Sequence, residues 1–179
     1  MTGSGRPADT VAAAARPVAR PGLGRDSHPF GPGLGLRLGG VEFPAAPRLH
    51  GHSDGDVVLH AIADGILGGA GLGDLGRIFP AGPATPAGID SRLLVGEAVA
   101  RAAAAGWRPA SLDLTIVGAR PRLAPRLDEI AASIAGLLGL PSGLVNVKGS
   151  TGNLAGMEGA GRGISALAVV LLEPVGPRA

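Results

Sequence analysis

The chain contains no cysteine and no tyrosine, one tryptophan and three phenylalanines. The absence of cysteine excludes disulfides, thiolate zinc sites, iron–sulfur clusters and a cysteine nucleophile. The aromatic side chains, Phe30, Phe43, Phe79 and Trp107, are too few for a base-stacking nucleic-acid platform. Lysine is nearly absent as well: of 16 basic residues only Lys148 is a lysine, and the rest are arginines. Formal net charge is only +2. The sequence pI of about 10.3 therefore reflects how few groups titrate above neutrality, and it marks no basic stripe. No nucleic-acid partner is expected. The longest uncharged run, 130–147, is interrupted by Pro141-Ser142-Gly143, so it reads as a helix end, a turn and a strand rather than a membrane span. The opening MTGSGRPADT has no basic region followed by an apolar run, which argues against a secretory leader. A soluble, cytoplasmic protein with no membrane partner is the expectation.

What is present is enough for one core. The 179 residues are 45% hydrophobic, with 32 glycines and 16 prolines that show no collagen-like period. Residues 1–21, rich in Pro, Ala and Arg, read as a flexible tail, and 22–175 as the domain. GLGLRLGGVEFP at 33–44 reads as two short strands around Gly39-Gly40, and 45–51 as loop. Helical spacing runs from Asp56 to about Ala70, with Ser53 or Asp54 as the cap. The Gly- and Pro-rich stretch 71–90 reads as a long loop, a length that is often functional. A second helix opens at Asp90-Ser91, alternation at 111–117 gives a strand, and 123–138 returns to helical spacing. Two strands follow, at 144–148 and 164–172. The order ββααβαββ predicts an α+β fold, an α/β sandwich in which a mixed sheet carries one layer of helices. The last strand is apolar on both faces, so its second face needs a cover, and a neighbouring subunit is a natural source.

All four histidines, His28, His50, His52 and His60, fall within one stretch. Asp26 and His28 are two apart in an extended segment and point the same way. With His60 from the first helix they make a three-ligand oxygen–nitrogen set with a fourth position open, the pattern of catalytic zinc. The same spacing also suits two surface histidines flanking acids. Asp56, His60 and Asp64 recur at i, i+4 and i+8, either as a solvated stripe or as a source of a carboxylate that orients the ligating imidazole. Lys148-Gly149-Ser150-Thr151-Gly152-Asn153 follows a strand and suits phosphate or base-edge binding, or an ordinary turn.

Together these pieces resemble the 2-C-methyl-D-erythritol 2,4-cyclodiphosphate synthase family of the non-mevalonate isoprenoid pathway. HSDGDVVLHAIADGILGGAGLGDLGRIFP at 52–80 carries most of the resemblance, supported by GRDSH (24–28), DSRLL (90–94), DLTIVGARPRLAP (113–125) and VNVKGST (145–151). The resemblance implies a homotrimer with active sites between subunits. It implies cyclisation of 4-diphosphocytidyl-2-C-methyl-D-erythritol 2-phosphate with release of CMP, a phosphorus–oxygen lyase reaction. It assigns zinc, or another divalent transition metal, to Asp26, His28 and His60. His52 and Ser53 would hold the reacting phosphate, and Thr151 would act near the diphosphate, so His52 and Thr151 are the catalytic candidates. Asp74 and Gly76 match the ribose contacts, Phe79 falls among the substrate contacts, and Gly118, Arg122, Leu123, Ala124, Ser150 and Thr151 match the cytosine pocket. A second ion, magnesium or manganese, bridges the diphosphate in the family.

Several positions depart from that pattern. Asn153 replaces a glutamate expected to help hold the second ion, Ala81 replaces an aspartate facing the erythritol, and Ala160 replaces a phosphate-facing arginine. Arg25 stands for a phenylalanine and Leu167 for a glutamate near the threefold axis. These losses leave two alternatives to the cyclase: a trimeric metal- and cytidine-nucleotide-binding homologue without turnover, and a zinc phosphohydrolase.

Overall fold

The computed structural model describes residues 19–80, 82–83 and 85–176. The expected tail lies outside these residues except for its last three, and Ala81 lies outside them too. The elements in chain order are β1 (Arg20–Leu38), β2 (Val41–Leu49), α1 (Val57–Ala70), α2 (Leu75–Ile78), α3 (Ser91–Ala104), β3 (Trp107–Val117), α4 (Leu127–Leu138), β4 (Val145–Ser150), α5 (Gly156–Gly159) and β5 (Gly163–Pro174). Apart from the short helices α2 and α5, this is the order read from the sequence. The five strands form one mixed sheet, β2-β1-β5-β3-β4. Only β3 and β4 are parallel, joined through α4; the other pairs are antiparallel. A parallel neighbour needs a crossover element, and α4 is that element.

β3 starts at Trp107 rather than 111, and the boundaries of β1 and β2 differ further from expectation. β1 begins at Arg20 and runs 19 residues: Arg20–Pro29 pairs with β5, and the stretch from Phe30 pairs with β2. β2 continues through the expected loop to Leu49 despite Pro44 and Pro47, because it is an edge strand, where a missing N–H costs no ladder bond. The Gly39-Gly40 hairpin forms as read, with φ of 63° and 79°, the doubly positive pair that a two-residue turn requires.

The α1 cap is Asp56, not Ser53 or Asp54. Its carboxylate accepts from Val58 and Leu59 N–H at 3.2 and 3.1 Å, and from Gly39 and Gly40 N–H at 2.9 and 2.7 Å. One fully buried carboxylate thus ties the hairpin turn to the helix start. Burial pushes this group upward, while the four N–H donors favour the anion. Asp56 is therefore structural and does not orient His60.

Helix α1 packs on β1 and β5 of the sheet and against α3, which itself touches β3. It is buried along nearly its whole length, leaving His60, Asp64 and Gly68 as its less covered positions. Each fully buried Ile or Leu of this layer contributes about 1.5–3 kcal/mol. Gly22 and Gly24 let the helix approach β1 backbone to backbone. A Cβ on Gly22 would sit 1.8 Å from the Gly65 carbonyl oxygen, and one on Gly24 would sit 1.9 Å from that of Ala61. This close approach sets His60 beside the next residues of β1.

By alternation, the inward-facing positions of β5 (Ala166, Ala168, Val170, Leu172) are buried and Leu167, Val169 and Leu171 face away from the helices. Those three are 42%, 44% and 39% exposed, and Leu23, paired with Val169, is 66% exposed. The second apolar face read from the sequence is therefore open on the single chain. Among the described residues, no helix is long and apolar enough to cross a membrane.

Candidate active site

β1 delivers Asp26 and His28, two residues apart on one side of the strand, and α1 delivers His60 across the glycine contact. Asp26 Oδ2 lies 2.8 Å from His28 Nε2 and 2.9 Å from His60 Nδ1, and the two ring nitrogens are 3.2 Å apart. The rings meet edge to face at 67°. Among the described residues this is the one cluster of His and acidic side chains placed to hold a metal ion. The donor set fits a divalent transition metal. Two imidazole nitrogens and a carboxylate oxygen aimed at one point offer lone pairs to a cation, whereas without one the facing nitrogens need a shared proton.

Burial would raise the Asp26 carboxyl, but hydrogen bonds from His28 and His60 and their charges outweigh it and hold it well below the usual carboxylate range. The bond to Asp26 raises His28 against the opposing effect of burial. The signs follow from linkage. Asp26 stabilises the metal-free fold above about pH 4, a contribution lost as pH falls through its depressed pKa. His28 contributes below about pH 6.5 and loses that contribution as pH rises through its raised pKa. A metal reverses the second effect, because it displaces the proton. We expect affinity for a divalent transition metal to fall about tenfold per pH unit for each displaced proton below the His28 pKa. Metal titrations between pH 5.5 and 8 check this, and an affinity flat across that range would contradict it.

The far side of His60 is also held. Its Nε2 lies 2.8 Å from Ser53 Oγ and 3.0 Å from Ser91 Oγ, and Ser91 Oγ donates to Asp54 Oδ1 at 2.5 Å. The carboxylates that the sequence offers for orienting His60 were Asp56 and Asp64. Asp56 is used in the cap, and Asp64 accepts from Leu75 N–H at 2.7 Å, tethering α2 to α1. Asp54, acting through Ser91, takes the expected place. Neither residue was singled out for this, since both read as helix-start residues.

Two cavities divide the remaining candidates. The first, about 160 Å³, is lined by His28, His52, Ser53, His60, Gly76 and Phe79 among others. His52 Nε2 lies 2.7 Å from the Thr85 carbonyl oxygen. A carbonyl only accepts, so Nε2 donates and Nδ1 is the atom left for a ligand. Thr85 had no signal in the sequence. Asp74 caps α2 by accepting from Arg77 N–H at 3.0 Å, beside Gly76. The second cavity, about 430 Å³, is lined by Gly118, Arg122, Leu123, Ala124, Ser150 and Thr151, with Pro121 and Leu127 as apolar wall. It suits a flat ring with a few polar edges. The two cavities share no lining residue. The catalytic candidates His52 and Thr151 are therefore not brought together within one chain. Asn153 lines neither cavity; it is exposed, at φ 49° and ψ 40°. Lys148, offered by the sequence as a phosphate contact, instead donates to Asp113 at 2.5 Å and lines neither cavity.

A family model described as the YgbB family matches residues 19–173. The chain belongs to the YgbB family. Its YgbB relative from Chromobacterium violaceum, named 2-C-methyl-D-erythritol 2,4-cyclodiphosphate synthase, is 51% identical over 86% of this chain and 97% of its own. The bifunctional IspDF structure from Campylobacter jejuni superposes with a TM-score of 0.83 at 32% identity, covering 87% of this chain and 42% of that one. The Plasmodium falciparum IspF structure, a CDP complex, gives a TM-score of 0.76 at 28% identity, covering 88% and 97%. The resemblance to the 2-C-methyl-D-erythritol 2,4-cyclodiphosphate synthase family, read chiefly from the block at 52–80, is thus shown, and so is the α+β fold.

Proposed function

We propose that the chain catalyses cyclisation of 4-diphosphocytidyl-2-C-methyl-D-erythritol 2-phosphate to the 2,4-cyclodiphosphate, releasing CMP; its relatives' names give that same product. The convergence of Asp26, His28 and His60 beside a cavity lined by His52 and Ser53 carries this reading. In the reaction, an oxygen of the 2-phosphate bonds to the β-phosphorus, the bond from that phosphorus to the CMP oxygen breaks, and CMP leaves with the electron pair. Both reacting groups are anionic, so positioning and charge neutralisation do the work.

Asp26, His28 and His60 would hold zinc, which when bound supplies Lewis-acid neutralisation of phosphate charge. Ser53 and His52 line the same cavity, and the 2-phosphate accepts from Ser53 Oγ–H and, when the imidazole is doubly protonated, from His52 Nδ1–H. The α2 segment, tethered by Asp64, presents Asp74 and Gly76 to the ribose. The second cavity takes the cytosine, with Thr151 at its edge toward the diphosphate. A magnesium or manganese ion would draw little charge from the chain here, since Asn153 offers only an amide oxygen where the family resemblance implies a glutamate.

Separate cavities for phosphate and base favour a site shared between two copies of the chain. We infer a homotrimer in which the open apolar face, Leu23, Leu167, Val169 and Leu171, meets its neighbours, and one copy's second cavity faces the next copy's first. A mixing experiment tests this. His60→Ala and Thr151→Ala are each inactive alone, and mixed assemblies regain activity because some sites combine two intact cavities. No recovery after subunit exchange would contradict the shared site. The reaction is tested by CMP release with zinc and magnesium against a His52→Ala control, and release no faster than that control would sink it.

A further inference from the structure

We infer that Asp54 and Ser91 form a positioning relay that fixes the tautomer of His60, directing its Nδ1 lone pair at the metal and the Ser53 proton into the phosphate cavity. The inference rests on the proposed metal site and deepens it. An ionised carboxylate only accepts, so the 2.5 Å contact between Ser91 Oγ and Asp54 Oδ1 commits the single Ser91 proton to Asp54. Ser91 Oγ, fully buried, therefore presents a lone pair to His60 Nε2 at 3.0 Å. That contact requires the neutral imidazole to carry its proton on Nε2, which leaves Nδ1 as the ligating atom, facing Asp26 and His28. Asp26 by itself favours the opposite tautomer, since its carboxylate would accept a proton from Nδ1. The relay on the far side of the ring counters that preference.

The consequence reaches Ser53. Its Oγ accepts from Gly55 N–H at 3.1 Å and shares the single His60 Nε2–H with Ser91 Oγ in a three-centre bond, at 2.8 Å to Ser53 and 3.0 Å to Ser91. Its own proton is then left to donate into the cavity that it lines. Asp54 is held for this task, accepting from Asp56 N–H and Ser91 N–H at 3.2 Å each, with Arg37 3.7 Å away. Both of its oxygens already face backbone donors. Asn cannot replace it without turning an N–H₂ toward one of them.

The test compares zinc affinity and chelator-treated melting in wild type, Ser91→Ala and Ser91→Thr. Ser91→Ala should weaken zinc binding about 10- to 100-fold while melting like wild type without metal. Ser91→Thr, which keeps the hydroxyl, should retain wild-type affinity. A Ser91→Ala protein that binds zinc as tightly as wild type overturns the relay. If Ser91→Ala does not fold, the histidine ¹⁵N spectrum of the zinc-loaded wild type decides: a His60 Nε2–H protected from solvent exchange supports the relay, and a freely exchanging one overturns it. Failure of the wild type itself to bind zinc has a separate meaning, because it removes the metal site and, with it, the purpose assigned to the relay.

Discussion

Asp26→Ala should lower CMP release by about a thousandfold or more and abolish tight metal binding, with the fold intact. Asp26 Oδ2 is the atom both histidines face, so its loss leaves two imidazoles and no charge in the ligand set. Lewis-acid neutralisation is worth several kcal/mol to a reaction between anions, which converts to at least three decades in rate. The structural cost is small by comparison. Asp26 is half-exposed and otherwise accepts only from the adjacent Ser27 N–H at 2.8 Å. Unfolding, metal titration and turnover on the same preparation separate these effects. A variant that loses metal but keeps wild-type turnover would break the link between this cluster and catalysis.

Gly24→Ala should destabilise the protein by about 3 kcal/mol or more and empty the metal site as a consequence. The added Cβ would lie 1.9 Å from the Ala61 carbonyl oxygen and 2.5 Å from Gly65 N. Both are backbone atoms, so no rotamer change relieves the clash and α1 must move off β1. Because His60 rides on α1 and Asp26 on β1, that movement opens the cluster. Gly68→Ala is the matched control on the same helix. Its Cβ meets nothing within 4 Å, the position is exposed, and Ala there should gain up to about 1 kcal/mol. Denaturant unfolding measures both.

These two variants also mark where the sequence was legible. The ligands were readable because Asp26 and His28 share a strand face and His60 falls in a specific block, and the helices were readable from their 3.6-residue spacing. The glycines that hold ligand to ligand were not. Gly22 and Gly24 sit in a Pro- and Gly-rich stretch with no alternation, so the first half of β1 carried no strand signal beyond the extended Asp26–His28 pair, although it pairs with β5 along its length. A backbone-to-backbone approach leaves no side-chain pattern to read. The His60 relay was hidden for a similar reason. Asp54 and Ser91 are ordinary helix-start residues, and only folding brings them, 37 positions apart, within 2.5 Å. Lys148 is the converse case: a lone lysine beside glycines suits either an anion or an ordinary turn, and in the fold it pairs with its strand neighbour Asp113. The family resemblance implied active sites between subunits without assigning His52 or Thr151 to a side, and residue spacing gave no sign that the two lie apart.

The mass of the phosphorylated product tests the central claim most directly. Purified protein with zinc, magnesium and 4-diphosphocytidyl-2-C-methyl-D-erythritol 2-phosphate should yield CMP and a cyclic diphosphate in equal amounts, with no oxygen incorporated from labelled water. A linear product carrying one labelled oxygen would mean that water, not the 2-phosphate, attacks the phosphorus. The chain would then be a zinc phosphohydrolase on a cyclase fold.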